Sequence, residues 1–153
     1  MSSQNFGDAE QNPIQPLREF HALSFLRAYE RCMEPAGQAL GIPALICAAF
    51  GAEVGMKEIL RQHGIAFEKK HELADLFTLL PQQHREAIRG QVSQSFPDFD
   101  AELDKANRSF VEWRYFYESP GPLNVNVKFV GTLAAAVMAR LPTVGAFGTS
   151  GAP

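Results

Sequence analysis

The chain has 153 residues, 46% of them hydrophobic, with 14 basic and 17 acidic side chains and a net charge of −3. That length suits one domain with a buried core, and that charge excludes a polycation coating nucleic acid over its whole surface. No run reaches the ~18 uncharged apolar residues of a membrane span, and two cysteines are too few for a disulfide framework or a thiolate zinc cage. Residues 1–16 are polar, acidic and proline-bearing, without the basic and apolar regions of a signal peptide. They are expected to be a disordered segment of a cytoplasmic protein. The Gly- and Ser-rich stretch 142–153 reads the same way, leaving 17–141 as the folded domain, with no internal repeat.

From Leu17 the apolar residues recur as Phe20, Leu23, Leu26 and Tyr29, a helical stripe that ends before Pro35. Residues 42–62 follow, apolar on every side in their first half, which predicts the most buried helix, with Gly64 as its stop. Cys47, in the run ALICAAF, reads as a small core residue. HELADLFTLL predicts a short helix, and Pro81 opens another in PQQHREAIRGQVSQS. Ser95 and Asp98 bracket Pro97 in an S-x-x-D cap pattern, so a further helix is expected to start there. Its apolar face is the clearest in the chain: Phe99, Leu103, Ala106, Phe110, Trp113 and Tyr117 follow at spacings of 4, 3, 4, 3 and 4. After Pro122, LNVNVKF alternates like a strand. Val130, Ala134, Val137 and Leu141 continue at helical spacing, and with no second strand to pair with, a helix is predicted. The expected fold is all-α, an antiparallel bundle of five helices plus one short helix.

Three groups of residues could carry chemistry. Glu53 is the only charge between Glu34 and Lys57, and a carboxylate in apolar surroundings needs a partner. Lys57 lies one turn on and Arg61 another, which suits either an i,i+4 pair at the core edge or a polar pocket between helices or subunits. In FVEWRYFYE, Arg114 stands among aromatics with Glu118 one turn beyond. It can grip phosphate or stack on a base, or tie Glu118 or Glu53 into a structural network. His71 follows Lys69 and Lys70, and the stretch from Lys57 to His71 is net +2. It is either a solvated loop or a local anion site. His21, His63 and His84 share no metal-ligand spacing, so no metal site is expected, and no phosphate-cradling GxxxxGK or GxSxG motif occurs.

The order AEVGMKEILRQHGI, KKHELADLFTLLP, FVEWRYFYE, over about residues 44–118, resembles the HEPN domain (higher eukaryotes and prokaryotes nucleotide-binding). The resemblance implies a bundle of antiparallel helices, a homodimer, and RNA or a nucleotide as ligand. It also implies a toxin-type ribonuclease of a toxin–antitoxin or defence system, with a nucleotidyltransferase-type antitoxin as partner. His71, Arg114 and Glu118 then become the catalytic candidates; Lys57, Lys69, Lys70, Arg108 and Tyr117 the candidates for binding RNA or nucleotide; and Glu53 with Lys57 a supporting polar network. The chain departs from the family's ribonuclease pattern at one point. No arginine has a histidine five to seven positions later, so the usual base is missing. A non-catalytic helical module for dimerisation or partner binding is the alternative, and it needs no base.

Overall fold

The computed structural model describes residues 15–34, 41–112 and 124–141, with the backbone alone for 15–20 and 108–112. Six helices occur there: α1 (Gln15–Cys32), α2 (Gly41–Gln62), α3 (Leu73–Leu79), α4 (Gln82–Ser93), α5 (Phe99–Glu112) and α6 (Val127–Met138). No strand is found among the described residues, so the chain is all-α, five helices with α3 as the short sixth. No helix among them is long and apolar enough to cross a membrane. Of residues 1–16, expected to be disordered, Gln15 and Pro16 open α1, where a proline is tolerated in the first turn; 1–14 and 142–153 lie outside the described residues.

The helix ends follow local chemistry. Pro43 sits in the first turn of α2, where its missing N–H removes no helical bond. Gly64 ends that helix in the left-handed region at φ 65°. The Ile65 amide donates to Leu60 O at 2.9 Å and the Gly64 amide to Arg61 O at 3.1 Å, the paired bonds of a Schellman stop. Pro81 precedes α4 as its N-cap residue. The strand-like alternation of LNVNVKF gives way because the Asn126 side chain accepts from the Phe129 amide at 3.2 Å and starts α6. One boundary differs from expectation. Ser95 does not cap α5, since the Ser95 and Phe96 amides both return to Val92 O and close α4. Pro97 donates nothing, and α5 starts after Asp98, whose carbonyl accepts from the Glu102 amide at 3.0 Å.

The core lies around α2, which packs α1 on one side and α6 on the other. Small residues let the backbones close in. A Cβ on Gly51 would lie 3.5 Å from Ala22 O of α1, and one on Gly55 would come within 2.6 Å of Val137 Cγ1 of α6. A Cβ on Gly131 would run into the Tyr29 ring. This close approach shifts the α1 stripe from its expected register: Ala22 and Leu26 are buried, whereas Leu23 and Tyr29 are only half-buried. Phe25 meets Phe50 at a ring distance of 5.4 Å. At the other end of the core Phe77, Phe99, Phe129 and Phe96 form a chain of ring contacts spaced 5.1, 5.7 and 5.6 Å. Of the predicted α5 stripe, Phe99, Leu103 and Ala106 are buried, and Trp113 and Tyr117 lie outside the described residues. Cys47 is half-buried rather than a core residue, because it lies at the α1 boundary beside Cys32.

Candidate functional site

Glu53 leaves the core-facing side of α2 just where the helix passes the 63–72 connection. Its side chain is 7% exposed, and its Oε1 accepts from Lys57 Nζ at 2.7 Å and from His71 Nδ1 at 2.8 Å. Lys57 and His71 are themselves 3.4 Å apart. The pair at i,i+4 is the one expected from spacing; its third member arrives from eighteen residues away. His71 is held there from both sides. α3 buries Leu73, Leu76 and Phe77, and the Ala74 amide is tied to Asn107 Oδ1 of α5 at 3.0 Å. The His71 amide donates to Glu72 at 3.2 Å. Hydrogen bonds from the Glu72 and His71 backbones hold the Glu72 carboxyl below the usual range, helped by the charges of His71 and Lys70.

The His71 side chain is 57% exposed, so the ring is anchored at Nδ1 by a buried carboxylate while its outer edge meets solvent. Lys57 is 19% exposed and also lies 5.9 Å from the Phe67 ring centre, with the Arg61 guanidinium 5.5 Å from the same ring. Arg61 does not extend the Glu53 network. It pairs with Glu58, a fully buried carboxylate that also accepts from Gln62 at 3.4 Å. Lys69, exposed in the connection, has φ 57°, a left-handed conformation that a lysine adopts at a cost of about 1–2 kcal/mol. Such conformations cluster where a loop presents groups for a purpose.

The other expected site residues separate by region. Lys69 and Lys70 flank His71 in the connection. Arg108 lies on α5, next to Asn107, with only its backbone described. Arg114, Tyr117 and Glu118 lie outside the described residues. Comparison of the chain with protein-family models, with curated proteins and with solved structures finds no match.

Two features carry no local sequence signal. The His63 and His84 rings pack edge to face with centres 5.0 Å apart. His63 Nδ1 lies 2.9 Å from Ile59 O, and Arg140 Nε donates to His84 Nδ1 at 3.1 Å. Burial, then the charges of Arg140 and His63, push the His84 imidazole below its usual pKa, and its Nε2 is buried with no hydrogen-bond partner. Among the described residues no three His, Cys, Asp or Glu side chains converge as a metal set. The second feature is a cleft of about 410 Å³ between α3, α4 and α5. Arg89 closes one side of it, 4.7 Å from the Phe99 ring centre and 2.7 Å from Asp100, whose carboxyl that hydrogen bond holds below the usual range.

As a chemical device, the α2–α3 junction offers an anchored imidazole for moving a proton, with Lys57 beside it and Lys69 and Lys70 next to it in the connection. The buried carboxylate keeps that imidazole in one orientation.

Proposed function

We propose that the chain is a HEPN-like helical protein that binds RNA or a nucleotide at the α2–α3 junction, as a divergent or inactive toxin-type ribonuclease of a prokaryotic toxin–antitoxin or defence system. One observation carries this reading: the exposed His71 ring is anchored at Nδ1 by buried Glu53, with Lys57 against both. A surface histidine in a plain solvated loop needs no such anchor. Lys69 and Lys70, beside it, supply positive charge for phosphate, and Lys57 adds to the field. In a cleaving form, His71 Nε2 carries the proton of the attacking 2′-hydroxyl, and Glu53 steadies the imidazolium that results. Arg114 as the phosphate grip, Tyr117 as the stacking ring, Glu118 as a second proton carrier and Arg108 as a further phosphate contact complete the proposal. They rest, like the homodimer and the nucleotidyltransferase-type antitoxin, on the sequence resemblance.

A second reading is favoured by a different observation. Lys57 and Arg61 are already paired with carboxylates of their own helix, as in a network that sets helix register in a dimerisation or partner-binding module. Titration of labelled single-stranded RNA separates the two. The first reading expects binding that weakens with salt, and a log–log salt slope about 1.4 shallower in Lys69→Glu/Lys70→Glu. His71→Asn should keep binding and lose any cleavage. Absence of binding to RNA and to nucleotides at low salt removes the first reading and leaves the second.

A further inference from the structure

Cys32 is the last residue of α1, and Cys47 stands in the second turn of α2. The two helices run antiparallel: Phe25 faces Phe50, and Ala22 and Leu26 lie against Gly51. Side chains on a helix lean towards its N-terminus, so Cys32 reaches back along α1 to the level of Cys47. The Cys47 thiol is accordingly within hydrogen-bonding reach of Cys32. Both cysteines are free and half-buried, neighbours across the α1–α2 seam and open enough for a small oxidant.

We propose that Cys32 and Cys47 are a modification site, a dithiol that a peroxide converts into a reversible disulfide stapling α1 to α2. Fourteen residues separate them along the chain, and Cys32 lies at a helix end, where the backbone adjusts most easily to disulfide geometry. Burial, then the neighbouring Cys32, push the Cys47 thiol up. Cys47 is thereby the poorer first nucleophile and is assigned the resolving role, with Cys32, at the helix end, attacking first. The Cys32 sulfur attacks one peroxide oxygen, the O–O bond breaks, and Cys32 sulfenic acid and one water (or alcohol) result. The Cys47 sulfur then attacks the Cys32 sulfur, the S–O bond breaks, and the departing hydroxide takes the Cys47 proton as a second water. Two thiols lose two electrons to one peroxide, and a thiol reductant reverses the step.

The test treats the full-length reduced protein with hydrogen peroxide and follows intact mass, maleimide-reactive thiols and migration on a non-reducing gel. The expected product is a monomer that has lost two hydrogens and both reactive thiols, and recovers them with dithiothreitol. Cys47→Ser should stop at a Cys32 sulfenic acid that dimedone traps, and Cys32→Ser should give no two-hydrogen loss. Both thiols surviving an excess of peroxide would overturn the proposal. So would a disulfide between two chains, or separate over-oxidation of each cysteine in the wild-type protein.

Discussion

Replacing Glu53 by alanine removes the acceptor shared by Lys57 and His71. His71 is 57% exposed and turns to water at little cost, but Lys57 is 19% exposed and loses its ion-pair partner. Breaking a fully buried pair costs about 3–5 kcal/mol. The partial access of Lys57 to water places Glu53→Ala nearer about 2–3 kcal/mol. For a helical domain of this size that corresponds to a fall in Tm of about 8–12 °C. Glu53→Gln keeps the shape and one acceptor oxygen while losing the charge, which points to about 1–2 kcal/mol. The decisive variant is Glu53→Leu/Lys57→Met. With both charges gone no ion is left stranded, and stability should return to within about 1 kcal/mol of wild type. Urea and thermal denaturation followed by far-UV circular dichroism, on Glu53→Leu, Lys57→Met and the double variant, yield the coupling energy, expected at about 1–3 kcal/mol. A Glu53→Ala protein within about 0.5 kcal/mol of wild type would show that Lys57 needs no partner there. Strictly additive single effects would show that the pair does not act as a unit.

Gly131→Ala drives a methyl into the Tyr29 ring and should cost about 1–3 kcal/mol in urea denaturation, with Tyr29→Leu in the same chain recovering much of it. His84 gives an acid-side prediction. Its imidazole sits below the usual 6.5 in the folded chain, so its contribution is complete above pH 6.5 and is lost as pH falls towards the depressed folded value, because the unfolded chain takes up the proton first. His84→Phe should flatten the Tm-versus-pH curve on that limb, and an unchanged slope would exclude His84 as its source. At Lys69, glycine accepts φ 57° without strain, and Lys69→Gly should hold stability within about 1 kcal/mol of wild type. Lys69→Val, β-branched at the same φ, should melt below both.

Helix identity was legible because it is set within a few residues. Pro43, Pro81 and Gly64 act on their own helix ends, and the 4-3-4-3 spacing from Phe99 has one regular solution. The Glu53–Lys57 pair was legible for the same reason, being one turn apart on a single helix. The errors arose where a boundary or a face depends on neighbours. Ser95 was claimed by the end of α4, and the α1 stripe rotated to place Ala22 against Gly51.

Local patterning thus accounts for the all-α class, the six helices of the described residues and the presence of one charge that needed a partner. Only the tertiary structure decided that this partner includes His71. It also placed His84 between His63 and Arg140, and Cys32 beside Cys47. Helix periodicity is local and repeats every 3.6 residues, so a short window contains it. Side chains 15, 18, 21 or 56 positions apart meet only after the faces of separate helices have packed, and no spacing rule within one helix encodes which faces those are.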